Sequence, residues 1–251
     1  VILGGRKTEL CTVLFADYRE VSAFSALKAF YKSLCDASLS CGHKIYGANN
    51  WYYAYGKTSH AETVRDASLL AEMTEGLPNR PYSVLDDGWQ KNPCDAPWDV
   101  LREGKFQDMK AVADEVKSKN VRPGIWFRPL RDENFEVFPA ESELRLARDK
   151  KFLDPSHPGV LEYVAKTIDM ICGWGFELIK HDFSTFDAIG FWGSQRYGTP
   201  FAEDGWSYFD RGKTTAEVIL GLNETIYNAA KDRALILGCN VMGHLAAGLV
   251  H

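Results

Sequence analysis

The sequence predicts an α/β fold in which parallel strands alternate with helices, and three features of its pattern support this. Short apolar runs typical of buried strands alternate with longer segments whose apolar residues recur at helical spacing. Alternation of this kind is typical of βα units, which assemble into a parallel sheet. Polar and aromatic residues follow the ends of the apolar runs. The predicted strands cover 44–48, 81–85, 122–127, 176–183 and 234–240.

The helices are predicted from apolar periodicity and from residues that typically begin or end a helix. Gly42 is placed to end the first helix, and Ser59 and Glu62 have the spacing of a capping box before the second. Pro158 suits the first turn of a later helix. The predicted helices cover 22–39, 59–75, 106–119, 158–171 and 215–231.

The position of the polar residues favours one α/β architecture, the (β/α)8 TIM barrel. Such a barrel carries its active site at the carboxyl ends of its strands, where this chain concentrates its polar and aromatic residues. A doubly wound open sheet is the alternative, but no Gly-x-Gly-x-x-Gly turn follows the first predicted strand. Five strands are predicted and a closed barrel needs eight, so we expect about the first five βα units of a barrel.

Composition and charge exclude several classes of function. A net charge of -5 and a pI of about 5.7 argue against a nucleic-acid-binding protein. The six cysteines form no Cys-x-x-Cys pair and no histidine cluster accompanies them, so neither a zinc site nor a disulfide framework is expected. No apolar stretch approaches the roughly 20 residues that span a bilayer, so no membrane partner is expected. No metal or organic cofactor is implied, and the compartment stays open.

The fourth predicted strand ends in the residues that most clearly indicate chemistry. Side chains alternate along a strand, so Lys180 and Asp182 share one face and His181 faces the other way. A neighbouring cation favours the ionised form of a carboxylate. Asp182 is therefore expected to be charged near neutral pH, as a nucleophile must be. A structural ion pair at the strand end is the alternative that these residues alone leave open.

Other polar and aromatic residues at strand ends suit a sugar site. Asp86 and Asp87 are adjacent, and at a bend both could accept hydrogen bonds from neighbouring sugar hydroxyls; a solvated turn is the alternative. Trp51 and Trp126 could stack on the apolar face of a sugar or pack in the core. Cys239 is expected to be a small buried hydrophobe, because no histidine is placed to activate it.

Four motifs occur in order along the chain, and together they carry a family resemblance. They are Asp86–Gln90 (DDGWQ), Gly124–Phe127 (GIWF), Leu153–Pro158 (LDPSHP) and Ile179–Asp182 (IKHD). In this order they resemble the clan of α-galactosidases, and most closely glycoside hydrolase family 36, in a match that runs from about residue 45 to 240. That family also contains α-N-acetylgalactosaminidases and raffinose-synthase-like transglycosylases.

The resemblance implies a (β/α)8 catalytic barrel between an N-terminal β-sandwich and a C-terminal β-domain. Residues 1–18 would then be the end of that sandwich or a linker, and residues 19–251 the N-terminal part of the barrel. From their own pattern, residues 1–18 predict a hairpin or the last strands of a preceding β-domain. The resemblance also makes a homo-oligomer possible.

The resemblance assigns roles to residues at the strand ends. It implies that Asp182 is the nucleophile and that the remaining residues bind substrate. Lys180 contacts the sugar, and the aspartate pair binds the 4- and 6-hydroxyls of galactose. The aromatic residues wall the pocket, and Cys239 lies beside the sugar. The implied substrate-binding residues are Trp51, Asp86, Asp87, Trp126, Lys180 and Cys239.

One departure from the family affects the expected reaction. The family's acid/base aspartate lies after the fifth strand, and no aspartate follows Asp232 here, so we expect it beyond residue 251. Asp187, Asp204 and Asp210 are weaker alternatives, since nothing in their sequence setting marks a raised pKa.

The expected function is a retaining glycoside hydrolase that acts on α-linked galactosides or oligosaccharides by double displacement. The alternatives are a non-catalytic carbohydrate-binding remnant, an α-N-acetylgalactosaminidase or a raffinose-synthase-like transglycosylase.

Overall fold

The computed structural model describes residues 1–190 and 205–251, and its centre is a parallel sheet. The strands are hydrogen-bonded in chain order, β1-β2-β3-β4-β5, and every neighbouring pair is parallel. The predicted α/β class and its five strands are therefore confirmed. The strands are β1 (Gly47–Asn49), β2 (Tyr82–Leu85), β3 (Arg122–Phe127), β4 (Leu178–Asp182) and β5 (Leu235–Cys239).

Helices connect the strands, as the apolar periodicity predicts. Ser59 caps α3 through its side chain, and a complete capping box of Thr214 and Glu217 begins α7. Gly175 ends α5 in the left-handed conformation that favours glycine. The helices are α1 (Ala23–Lys32), α2 (Trp51–Ala54), α3 (His60–Met73), α4 (Met109–Ser118), α5 (Pro158–Trp174), α6 (Ser184–Ala188), α7 (Thr215–Ala230) and α8 (Gly243–Ala246), with a short 3-10 turn at Lys231–Arg233.

Each strand pairs with the next one along the chain. The sheet curls, and the five strands form a half-barrel. The convex face packs on α4, α5 and α7 to form the main core. That core includes Leu85, Ile125, Phe127, Ile179 and Ile236 from the strands, and Val112, Val164, Ile168, Leu222 and Ile226 from the helices. The complete eight-stranded barrel stays a prediction.

The concave face changes character along the strands. Near the amino ends, Tyr82, Val84 and Leu178 form a separate apolar cluster. Near the carboxyl ends, the register aligns Trp126 with Lys180, and Asp182 with Cys239. The sheet therefore brings the polar residues to one edge, where the strand-end pattern predicts a site.

Residues 1–18 contain no strand, although Gly4 and Gly5 form the predicted turn. The hairpin expected there is therefore not formed. Arg6 instead reaches Glu217 at the start of α7, with Nη1 and Oε1 2.8 Å apart. The assignment of this segment to a preceding domain or linker remains a prediction.

Among the residues that the structure describes, no helix is long and apolar enough to cross a membrane.

Gly88, in the turn after β2, generates a prediction about stability. Its φ is +109°, and a Cβ there would overlap the backbone of Gly56. We expect Gly88→Ala to lower the free energy of unfolding by about 3 kcal/mol, measured by urea unfolding. Gly76→Ala is the matched control: its φ is +77° with nothing within 4 Å, so it should cost only about 1 kcal/mol. Equal losses of unfolding free energy in the two variants would show that the contact of Gly88 with the Gly56 backbone does not affect stability.

Candidate active site

Asp182 ends β4 on the concave face and is 6% exposed. Its Oδ2 accepts a hydrogen bond from Trp126 Nε1 at 3.0 Å. Its Oδ1 accepts from Asn240 Nδ2 at 2.7 Å and from the backbone N–H of Phe183 at 2.8 Å. The donors come from β3, from the residue after β5 and from the turn that follows Asp182. Both carboxylate oxygens are therefore oriented by neutral groups from neighbouring parts of the half-barrel.

Lys180 shares the face of Asp182, as predicted, but its direct ion pair is with Asp86. Lys180 Nζ lies 2.7 Å from Asp86 Oδ2, which also accepts from Asn49 Nδ2 at 2.7 Å. Burial lowers the pKa of Lys180, but the hydrogen bond and charge of Asp86 outweigh it and the pKa is raised. The direct ion pair of Lys180 therefore joins β4 to the end of β2, and not to Asp182 as in the structural alternative.

Asp87 faces a different set of partners from Asp86, as adjacent residues leaving a strand do. Its Oδ1 accepts from Gln90 Nε2 at 2.5 Å and from the backbone N–H of Cys94 at 2.7 Å. Burial raises the pKa of Asp87, opposed by these hydrogen bonds. Both aspartates are buried, so the pair is not the solvated turn that was the alternative.

The two tryptophans occupy different environments. Trp126 is 2% exposed and packs edge-on against Trp98, with ring centroids 6.0 Å apart, so it belongs to the core as well as to the site. Trp51 begins α2, is partly exposed and donates its backbone N–H to Asn49 Oδ1 at 2.8 Å. A sugar-stacking role for either residue stays a prediction.

Cys239 lies opposite Asp182 in the β4–β5 register. Burial and then the charge of Asp182 raise the pKa of its thiol to about 11. The thiol is therefore protonated at neutral pH, which agrees with the expectation that it is not a nucleophile, although Cys239 is only partly buried.

The alternative acids in the loop after β4 have other partners. Burial raises the pKa of Asp187 to about 6, against the hydrogen bonds and charge of Arg128, a shift that the sequence around it does not mark. Asp187 is nevertheless fully buried with both oxygens bound to Arg128, which leaves no access to a substrate. Asp210 accepts from the backbone N–H of Gly212 at 2.9 Å, and Asp204 lies outside the described residues.

His181 faces the helices, as the alternation predicts. It is fully buried, and its Nδ1 lies 2.7 Å from Ser184 Oγ at the start of α6. Burial lowers the pKa of His181 to about 4. The side chain is therefore neutral in the folded protein at pH 7 and supports the turn after Asp182 from behind.

The sequence pattern assigned no role to three residues that hold the site together: Asn49, Arg128 and Asn240. Asn49 and Asn240 end β1 and follow β5, so their strand-end position was a usable signal. Arg128 directly follows the GIWF motif, but nothing local shows which carboxylate it meets.

Among residues 1–190 and 205–251, no group of three or more His, Cys, Asp or Glu side chains could hold a metal ion.

Several solved α-galactosidases are similar to this chain in structure. The α-galactosidase TtGalA from Thermus thermophilus, solved in complex with stachyose, is 18% identical with a TM-score of 0.64, over 90% of this chain and 46% of its own. The family 36 α-galactosidase AgaA from Geobacillus stearothermophilus is 19% identical with a TM-score of 0.58, over 79% of this chain and 28% of its own. The α-galactosidase from Lactobacillus brevis gives 18% identity and a TM-score of 0.56, over 78% and 27%.

At this level of identity the likeness establishes a shared fold, and the resemblance carried by the four motifs is confirmed to that extent. The chain spans less than half the length of these three proteins. No family model matches the sequence, and no curated protein matches it either.

Burial of His181 predicts a pH dependence of stability. The unfolded chain takes up a proton near pH 6.5 and the folded one only near pH 4, so folding becomes less favourable as pH falls between these values. His181→Asn keeps a polar group and removes the titration. We compare the free energy of unfolding of the wild type with that of His181→Asn, measured by urea unfolding. The difference, wild type minus variant, should fall by about 3 kcal/mol from pH 7 to pH 4.

Ser184→Ala is the control for this prediction, because it removes the partner hydroxyl and leaves the buried imidazole in place. It should retain the wild-type pH dependence. A constant difference between wild type and His181→Asn across this range would contradict the buried neutral state.

Proposed function

We propose that this chain carries the nucleophile and part of the sugar-binding site of a retaining glycosidase that acts on α-linked galactosides. The observation that carries the proposal is the Asp182 carboxylate, held by neutral donors on both oxygens at the carboxyl edge of the half-barrel. The likeness to α-galactosidases supports the substrate class, since TtGalA has been solved in complex with stachyose and with p-nitrophenyl α-D-galactopyranoside. In this proposal the full-length protein closes an eight-stranded barrel.

Asp182 would attack the anomeric carbon and form a β-linked glycosyl-enzyme. Water would then attack the same carbon from the opposite face and release α-galactose, so that the configuration is retained overall. Neutral donors suit this role because they orient the attacking oxygens without a cation bound directly to them. Lys180, paired with Asp86, provides positive charge nearby.

The substrate would be recognised by the groups around the nucleophile. Asp86 and Asp87 would accept hydrogen bonds from the 4- and 6-hydroxyls of galactose, and Lys180 would donate to the sugar. Trp51 would flank the pocket from the end of β1, with Cys239 beside the sugar. The burial of both aspartates favours this role, because buried carboxylates bind hydroxyl donors without competition from bulk water.

A retaining glycosidase needs a second carboxyl group about 5–5.5 Å from the nucleophile. Asp187 is held by Arg128, and Asp210 by Gly212. We propose that the acid/base is an aspartate contributed by sequence after residue 251 of the full-length protein. It would protonate the departing oxygen and later activate the water.

The proposal predicts the effect of replacing the nucleophile. In the full-length protein, Asp182→Asn should lower kcat for an aryl α-galactoside by about 10³-fold or more, because the amide cannot form the glycosyl-enzyme. The measurement is release of the chromogenic phenol, with NMR showing α-galactose as the first product of the wild type. Asp210→Asn is the matched control, an aspartate in the same connection, and should leave kcat within about twofold.

Undiminished hydrolysis by Asp182→Asn would contradict the nucleophile. A wild type that binds galactose and does not hydrolyse the aryl galactoside would contradict the enzyme and favour a carbohydrate-binding protein.

A further inference from the structure

We propose that Arg128 is a positioning residue for the nucleophile and for Asp87, a role that rests on the proposed function. A single buried guanidinium joins three strand ends: that of β3, which Arg128 follows, and the segments after β2 and β4. Its loss should therefore change the reaction, and not only the stability of the fold.

Arg128 is 2% exposed and forms a bidentate ion pair with Asp187 of α6. Its Nε donates to Oδ2 at 2.7 Å and its Nη2 donates to Oδ1 at 2.6 Å. Burial opposes the charge of Arg128, but the hydrogen bonds and charge of Asp187 raise its pKa above the usual value. Two parallel hydrogen bonds between planar groups fix orientation as well as distance. The ion pair therefore ties α6 rigidly to the end of β3.

The position of α6 determines the geometry of the turn that holds Asp182. Phe183 lies between the two, with φ of 58° and ψ of 8°. This conformation is uncommon for an aromatic residue and persists only where its surroundings hold it. The guanidinium carbon of Arg128 lies 4.4 Å from the centroid of the Phe183 ring. The backbone N–H of Asp187 donates to the Phe183 carbonyl. Arg128 thus contacts both ends of the segment whose first N–H binds the Asp182 carboxylate.

The third arm of the same guanidinium reaches the loop after β2. Arg128 Nη1 lies 3.3 Å from Cys94 Sγ, and the backbone N–H of Cys94 donates to Asp87 Oδ1 at 2.7 Å. Cys94 also has a positive φ, 59°, which its surroundings must maintain. Arg128 therefore links the proposed nucleophile and one proposed sugar-binding carboxylate through one residue on each side.

A second buried ion pair in the chain separates this role from a structural one. Arg145 and Asp132 are both fully buried, with Nη2 and Oδ2 2.5 Å apart. The Arg145 side chain also contacts backbone carbonyls of residues 132–150 and the ring of Phe135, all within the single connection that joins β3 to α5. Arg145 thus matches Arg128 in burial and charge, but these side-chain contacts lie within residues 132–150, away from the strand ends of the site.

The test compares Arg128→Lys with Arg145→Lys in the full-length protein. Lysine keeps the charge and loses the bidentate geometry. Both variants should lose thermal stability. At a fixed interval below each variant's Tm, Arg128→Lys should lower kcat for an aryl α-galactoside at least tenfold and raise KM. Arg145→Lys should stay within about twofold of wild type in both parameters.

Asp187→Asn tests the same contact from the α6 side, and it applies also if Arg128→Lys does not fold. It should lower kcat by a similar factor. The double variant should be little worse than either single one, because both changes remove one interaction. Wild-type kcat and KM in a folded Arg128→Lys or Asp187→Asn variant would overturn the positioning role and leave the proposed function intact. An inactive wild type, or an active Asp182→Asn variant, would overturn the proposed function and this role with it.

Discussion

The site depends on the register with which β3, β4 and β5 pair. That register places Trp126 beside Lys180, and Cys239 beside Asp182, so an indole and a side-chain amide converge on one carboxylate. The main-chain hydrogen bonds of three parallel strands fix these positions, and slipping a strand by one residue would turn each of these side chains to the other face. Sheet formation therefore fixes where Asp182 and Trp126 lie, and the residues that follow β4 and β5 complete the orientation of the carboxylate.

The buried charges of this edge are arranged so that the cations do not hydrogen-bond to Asp182. Lys180 pairs with Asp86 and Arg128 pairs with Asp187, each at 2.6–2.7 Å. An isolated buried charge costs several kcal/mol, so each cation needs its own partner in such an environment. Asp182 keeps neutral donors, an arrangement that suits a carboxylate which has to form a bond. The same two ion pairs link β2, β3 and β4 at their ends, so they also help to fix the positions of the side chains around Asp182.

Local sequence patterns predict the elements and the face of the site, but not the pairing of its charges. Alternation along β4 puts Lys180 and Asp182 on one face, and the structure confirms it. The partner of Lys180 is Asp86, 94 residues away, and no spacing rule relates the two. Arg128 and Asp187 likewise meet because β3 and β4 are neighbours in space. Residues 1–18 form no hairpin for a related reason: two short strands are only marginally stable alone, and their local pattern does not show whether other elements pack against them.

The proposed reaction depends on Asp182 as the nucleophile, and covalent trapping identifies such a residue. The full-length protein would be treated with an activated 2-deoxy-2-fluoro-α-galactosyl donor, digested and analysed by peptide mass spectrometry. We expect one galactosyl label, on the peptide that contains Asp182 and on that residue. A label on another carboxylate, or no label on a protein that binds galactose, would contradict it.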